Sequence, residues 1–158
     1  MIMATFYSPD GNAEVWQAKP DGYYTPEEWA ALHPPPEPSF EELHQSKFDE
    51  LAASFCARTR GTITTQPDAY VMQFDTDDSI KMQGAIELME MTGQTKGYLT
   101  QANDITVYDI PIETMKNVLM QMMTAFAACH ARKQELRASI TAAKTKEELA
   151  AIKITWPV

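Results

Sequence analysis

Three aspartates stand close together near the middle of the chain, at Asp75, Asp77 and Asp78. Clustered carboxylates are ligands that Ca²⁺ prefers, so this run is the first place to look for a metal site. A calcium loop also needs alternating oxygen ligands, a glycine at its middle and a distal glutamate, whereas the next acid here is Glu87, inside a predicted helix. The spacing favours Asp77 or Asp78 as the N-cap of that helix, and we expect neither a metal nor a cofactor.

The residues that most often carry catalysis are sparse: three histidines (His33, His44, His130) and two cysteines (Cys56, Cys129). No pair has the spacing of a helical zinc site. Adjacent helical residues point in different directions, so Cys129 and His130 do not form a dyad, and Cys56 could meet His130 only through tertiary packing. Each cysteine falls on the apolar side of a predicted helix, which indicates buried structural thiols in a reducing compartment. We expect a protein that is not an enzyme.

Composition narrows the class of partner. The chain has 158 residues, of which 44% are hydrophobic, enough for one sizeable core. Its net charge is −9, with 16 acidic and 5 basic residues before position 91. This balance argues against nucleic-acid binding, which needs clustered Lys and Arg. The apolar run at 118–129 is too short to cross a bilayer, so no membrane partner is expected.

Turn and cap residues divide the chain into short elements. The sequence 25–28 predicts a capping box with proline at the first helical position, and Gly93 and Pro111 predict a helix end and a helix start. A capping box at 145–148 predicts a break near Lys144 in the last long helix. Three hairpins are predicted, at residues 5–16, 62–74 and 97–108.

These elements predict an α+β fold, in which helices pack on short antiparallel hairpins and one long helix lies toward the C-terminal end. Prolines at 34, 35, 36 and 38 exclude regular structure there. We therefore predict an N-terminal arm at 1–33, a proline-rich spacer at 34–38 and a main domain at 39–158.

Four aromatic residues of the arm, Trp16, Tyr23, Tyr24 and Trp29, are more than so small a segment is expected to bury alone. They either pack on the main domain or anchor a partner.

The long helix carries Met115, Met120, Met122 and Met123. Met120 and Met123 fall on a different face from Met115 and Met122, so the helix is apolar around much of its circumference. The methionines are either core residues or an adaptable binding surface, for which Met120 and Met123 are the candidates. We expect the arm or this helix to be buried between chains, in a homo-oligomer or against a partner, and the arm is favoured.

The order of these pieces resembles a known domain. Residues 74–79, the 97–107 hairpin with Asn103-Asp104, the helix from Pro111 and the segment 139–152 are similar to a domain of unknown function in phage and prophage proteins encoded beside tail fibres. The similarity spans about 40–152. The ends, at 6–8 and 154–157, are similar to those of phage tail-fibre assembly proteins.

The resemblance implies a bacteriophage tail protein. It would act as a tail-fibre assembly factor or chaperone that binds the fibre, or alternatively as a structural component of the fibre or baseplate in the virion. The location that follows is the host cytoplasm during assembly, or the virion tail. The resemblance supplies no catalytic residues.

Overall fold

The computed structural model describes residues 3–34 and 36–157, and the chain divides into two compact units, Met1–Ser39 and Phe40–Val158. The predicted α+β fold is confirmed: the described residues form five helices and three two-stranded antiparallel sheets. The fourth helix, with 31 residues, is the predicted long helix.

In the first unit, a hairpin precedes a short helix. Strands β1 (Ala4–Tyr7) and β2 (Ala13–Trp16) pair antiparallel, and α1 spans Pro26–Leu32. The Thr25 hydroxyl accepts a hydrogen bond from the Glu28 backbone N–H at 3.2 Å, and the Glu28 carboxylate accepts one from the Thr25 N–H at 2.9 Å. The predicted capping box is thus confirmed, and it fixes where α1 begins.

The second unit alternates helices with hairpins, and the two hairpins predicted for this part are both present. Its elements are α2 (Phe40–Thr59), β3 (Thr62–Thr64), β4 (Val71–Gln73), α3 (Thr76–Thr92), β5 (Lys96–Thr100), β6 (Thr106–Pro111), α4 (Ile112–Ala142) and α5 (Lys146–Ala151).

Short-range chemistry sets the helix ends. The N-cap of α3 is Asp75, whose carboxylate accepts from the Asp78 N–H at 2.9 Å, so the prediction that Asp77 or Asp78 caps this helix is wrong. Both acids lie in the first turn instead, where their negative charge still favours the helix. Gly93 ends α3 with a left-handed φ of 72°, as predicted. The predicted break near Lys144 separates α4 from α5.

The core is built along α4. One row of its side chains is buried, and it contacts two clusters, one with α3 and the hairpins and one with α2 and α5. The buried row consists of Met115, Val118, Met122, Cys129, Leu136 and Ile140. The apolar spacing in the sequence predicts a row of Met115, Val118 or Leu119, Met122, Phe126, Cys129, Lys133, Leu136 and Ile140. The structure buries this row except at Leu119, Phe126 and Lys133, which are half-buried.

One prediction of burial is wrong. Cys56 is exposed on α2, whereas Cys129 is buried as expected. On α3, Ile86 is buried, whereas Ile80 and Leu88 are exposed. Helix geometry explains the difference, because Ile80 and Leu88 lie on the opposite side of α3 from Ile86.

An amide clamp holds the β3–β4 loop on α4. The Gln121 side-chain amide donates to the Gln66 carbonyl at 2.7 Å and accepts from the Gln66 N–H at 2.9 Å. The Asn117 side-chain amide donates to the same carbonyl at 3.1 Å. These contacts join residues more than 50 positions apart, and they hold the loop against α4.

Candidate functional site

The arm's aromatic residues pack largely on one another. Trp29 stacks on Tyr7, with ring centroids 5.5 Å apart, and on His33 at 3.8 Å. Tyr24 lies against the same indole at 5.6 Å and exchanges two 2.8 Å backbone hydrogen bonds with Tyr7. Trp29 and Tyr24 are consequently half-buried, and Trp29 is the centre of the first unit's packing.

Trp16 and Tyr23 form a separate, more open pair. Their rings meet edge to face with centroids 6.4 Å apart. One carboxylate oxygen of Glu14 accepts from the Trp16 indole N–H at 3.1 Å and from the Tyr23 hydroxyl at 3.2 Å. Partial burial, and then the charge of Glu14, raise the pKa of Tyr23. Trp16 keeps 44% of its surface exposed, so it is the aromatic residue of the arm best placed to meet a partner.

A shallow apolar groove lies beside α3 on the outer face of α4, and we call it the methionine groove. It has a volume of about 460 Å³, and Met120 and Met123 project into it with 60% and 52% of their surfaces exposed. The rest of its lining is Ile86, Lys116, Leu119, Thr124 and Ala127.

Lys116 anchors one end of the methionine groove. Its ammonium donates to Glu90 of α3 at 2.8 Å and lies 3.0 Å from Glu113 on its own helix. These two carboxylates raise the pKa of Lys116, so the group stays charged. The groove therefore has an apolar floor and a fixed cation at one end.

A second concavity, of about 410 Å³, opens between α3 and the hairpins. Its floor consists of core side chains, among them Met72, Met82 and Met122, and its rim carries Asp78 and Lys81. These two form a 3.4 Å ion pair, and Lys81 is largely exposed. A carboxylate and an ammonium that neutralise each other in water supply no activated nucleophile or base.

The sequence candidates for metal or thiol chemistry have structural roles. Asp75 is a helix cap. Burial raises the pKa of the Cys129 thiol, against a smaller lowering effect of Arg58, which disfavours the thiolate. The His44 ring lies 3.1 Å from the Ile140 carbonyl, where α2 meets α4. Within residues 3–34 and 36–157, no group of three His, Cys, Asp or Glu side chains is placed to hold a metal ion.

Met120 and Met123 lie on a different face of α4 from the buried Met115 and Met122, as predicted, and the structure places both of them in the methionine groove. The four arm residues divide into a half-buried stack around Trp29 and a more open pair at Trp16. Sequence reasoning missed the outer side of α3, where Ile80, Leu88 and Met91 are exposed. A helical projection of residues 80–91 would have found it, because these positions share one side.

Sequence reasoning also missed the role of Trp156 near the C-terminal end. Its indole N–H donates to the Ser54 hydroxyl at 2.8 Å, and its ring packs on Phe55 with centroids 5.7 Å apart. The Arg58 guanidinium donates to the Pro157 carbonyl at 3.1 Å. Trp156 and Pro157 are thus part of the packing of α2, and no local pattern in the sequence indicates this contact.

None of the helices in the described ranges combines the length and the apolar character that spanning a bilayer requires.

Comparison with known proteins identifies the family of the second unit. Neither the curated proteins nor the solved structures contain a significant match to the chain. A family model described as a domain of unknown function (DUF4376) matches residues 42–154. This range lies inside the second unit and agrees with the 40–152 span of the resemblance noted in the sequence. The chain therefore belongs to the DUF4376 family.

Proposed function

We propose that this protein is a non-enzymatic bacteriophage tail-fibre assembly factor, which binds the C-terminal region of the fibre and shields its apolar surface until the fibre is complete. The order of sequence pieces and the two chain ends support the phage assignment, because they resemble proteins of tail-fibre gene clusters. Membership of DUF4376 supports the domain and leaves the activity open.

The observation that carries the proposal is the methionine groove. Met120 and Met123 are exposed on a helix whose opposite side is fully buried, so the fold itself does not require them to be apolar. Unbranched thioether side chains adjust to differently shaped apolar partners. A chaperone needs this property, because it holds segments of a fibre that has not yet reached its final shape.

Trp16 gives the first unit a second contact. An exposed indole offers a large rigid surface at low entropic cost, which is typical of residues that dominate binding energy. The net charge of −9 keeps a chain with such surfaces soluble and favours a basic or neutral fibre segment.

The proposal is tested by co-expressing the chain with the tail-fibre protein encoded beside it. The tagged chain is expected to retain the fibre, and Met120→Glu with Met123→Glu is expected to lower the retained amount at least about tenfold. Trp16→Ala tests the arm in the same assay. Ala138→Glu, an exposed position further along α4, is the matched control, and it should retain the fibre normally.

Two results would contradict the proposal. The first is a fibre that assembles to the same yield without the chain and is not retained by it. The second is the presence of the chain in purified virions at a fixed ratio to the fibre, which would identify a structural component of the tail instead. Unchanged melting of the groove variants establishes that lost binding does not reflect lost folding.

A further inference from the structure

The outer side of α3 carries an apolar row that the fold does not use. Ile80, Leu88 and Met91 are 61%, 61% and 85% exposed. With Gly84 they fall within about 80° of the helix circumference, and this row is centred about 170° from the buried side. Helix α3 is thus apolar on two opposite sides, and only one of them is covered within the described residues.

Gly84 lies at the middle of this row and at the midpoint of α3, which spans Thr76–Thr92. Glycine is among the poorest helix formers, so its presence inside a helix needs a reason. The fold provides none: a Cβ atom added at Gly84 would meet nothing within 4 Å, and its φ is not in the left-handed region. A glycine of this kind is expected where another backbone approaches closely.

We propose that the α3 row is a homodimer interface, in which two copies of this chain cross at Gly84. Residues 80, 84 and 88 form one ridge with a spacing of four, and such ridges pack against each other at a crossing angle of about −50°. The missing side chain at Gly84 leaves a depression at the crossing point, so the two helix backbones come close there.

The symmetry of the row selects a second copy as the occupant. Ile80 and Leu88 stand four residues before and after Gly84. A two-fold axis beside Gly84 that reverses the helix direction packs Ile80 on the partner's Leu88, and Leu88 on the partner's Ile80. One patch therefore complements itself, which is the condition for a closed two-fold dimer.

Charged residues surround the centre of the row, and one of them, the exposed Asp77, falls within its arc one turn before Ile80. Lys81 is on one edge and Glu87 on the other, and Glu87 accepts a 2.8 Å hydrogen bond from Gln83 along the helix. An apolar centre with a polar rim is the usual anatomy of an interface. Because each copy carries a net charge of −9, added salt is expected to strengthen the dimer by screening the repulsion.

The proposal is tested on the full chain by sedimentation equilibrium and light scattering. The expected mass is twice 17.8 kDa, and Gly84→Leu is expected to raise the dimer dissociation constant at least about tenfold by blocking the crossing point. The same substitution should not lower the melting temperature of the monomer, because leucine is a good helix former and its Cβ atom would meet nothing within 4 Å at this position. Ala138→Leu on α4 is the matched control, and it should leave the mass unchanged.

A crosslink locates the axis directly. In a Cys56→Ser background, Gly84→Cys places two thiols at the crossing point, where a disulfide requires Cα atoms about 4.4–6.8 Å apart. Mild oxidation should give a covalent dimer from Gly84→Cys and none from Glu87→Cys. A chain that stays monomeric at about 100 µM overturns the proposal, as does a dimer that is unaffected by Gly84→Leu or is not crosslinked at Gly84. These readouts need no fibre, so they are independent of the proposed function.

Discussion

Gly97 offers the sharpest test of how the core of the second unit is packed. It lies in β5, where a Cβ atom would stand 2.8 Å from the Met89 sulfur and 3.0 Å from the Met115 sulfur. Favourable contacts of carbon begin at about 3.5 Å, so Gly97→Ala requires both side chains to move by roughly 0.5 Å or more. Met89 and Met115 are buried in the same core cluster, which limits that movement.

The expected effect follows from two opposing terms. Overpacking a core position lowers the free energy of unfolding by about 1–3 kcal/mol. Replacing glycine by alanine raises it by about 0.4–1 kcal/mol, because the unfolded chain then has less conformational entropy. We expect Gly97→Ala to lower the free energy of unfolding by about 0.5–2 kcal/mol, measured by urea titration with circular dichroism. The melting temperature should fall by about 1–8 °C.

Gly84→Ala is the matched control, since its new Cβ atom meets nothing within 4 Å. In dilute protein, where association does not contribute, it should raise the free energy of unfolding by about 0.5–1 kcal/mol. A second variant combines Gly97→Ala with Met89→Ala. Its loss in the free energy of unfolding should be about 1 kcal/mol smaller than the sum of the losses of the two single variants, because the shortened residue 89 leaves room for the added methyl group. If Gly97→Ala is as stable as the wild type, the two sulfur contacts do not limit this site and the reasoning is refuted.

Three further outcomes are expected. In chemical unfolding, Met122→Ala should lower the free energy of unfolding by about 2–5 kcal/mol and Met120→Ala by less than about 0.5 kcal/mol. The reason is that Met122 is fully buried and Met120 is exposed. Equal losses would contradict the assigned helix faces. Asp75→Ala should lower the free energy of unfolding by about 0.5–2 kcal/mol, because the helix cap is lost. Excess chelator should leave the melting temperature of the wild type unchanged. A lower melting temperature in the presence of chelator would indicate a bound metal. Iodoacetamide should modify Cys56 in the folded protein and Cys129 only after unfolding, as measured by mass spectrometry. Cys129 is buried, and burial also raises the pKa of its thiol, so little reactive thiolate is present. Rapid labelling of both cysteines would be inconsistent with the packing of α4.

Elements set by neighbouring residues could be predicted from the sequence. The capping box at Thr25 and the left-handed Gly93 depend on contacts within one turn, so the ends of α1 and α3 follow from local chemistry. The three hairpins were found for the same reason, because turn residues separate their strands by only a few positions.

The buried side of α3 could not be predicted in the same way. Ile80 and Leu88 are as apolar as Ile86 and Met89, and they occupy the opposite side of the helix. When both sides of a helix are apolar, the sequence contains no single stripe, and only the position of α4 decides which side is buried. On α4 the buried stripe runs the whole length of the helix, and there the row could be predicted.

Contacts between distant residues were also out of reach. Gln66 meets Gln121 across 55 positions, and Trp156 meets Ser54 across 102, and neither pair has a local signature. The candidate surfaces depend on such contacts. The methionine groove forms only where α3 packs beside α4, and the sequence does not show that contact. The outward direction of Met120 and Met123 follows from the helix period alone. The residues could therefore be predicted, and the groove could not.

The exposed aliphatic residues of α3 and α4 connect the two proposals. Five large side chains there are more than half exposed: Ile80, Leu88, Met91, Met120 and Met123. Single exposed apolar residues are ordinary, but these fall into two groups with different composition. The α3 row is short, symmetric and centred on a glycine, which suits one fixed partner with the same surface. The groove is lined by flexible methionines, which suits an apolar partner whose shape is not yet fixed. If each surface binds as its composition indicates, substitutions at Gly84 should change the mass of the purified chain without changing fibre retention, and substitutions at Met120 and Met123 should do the reverse.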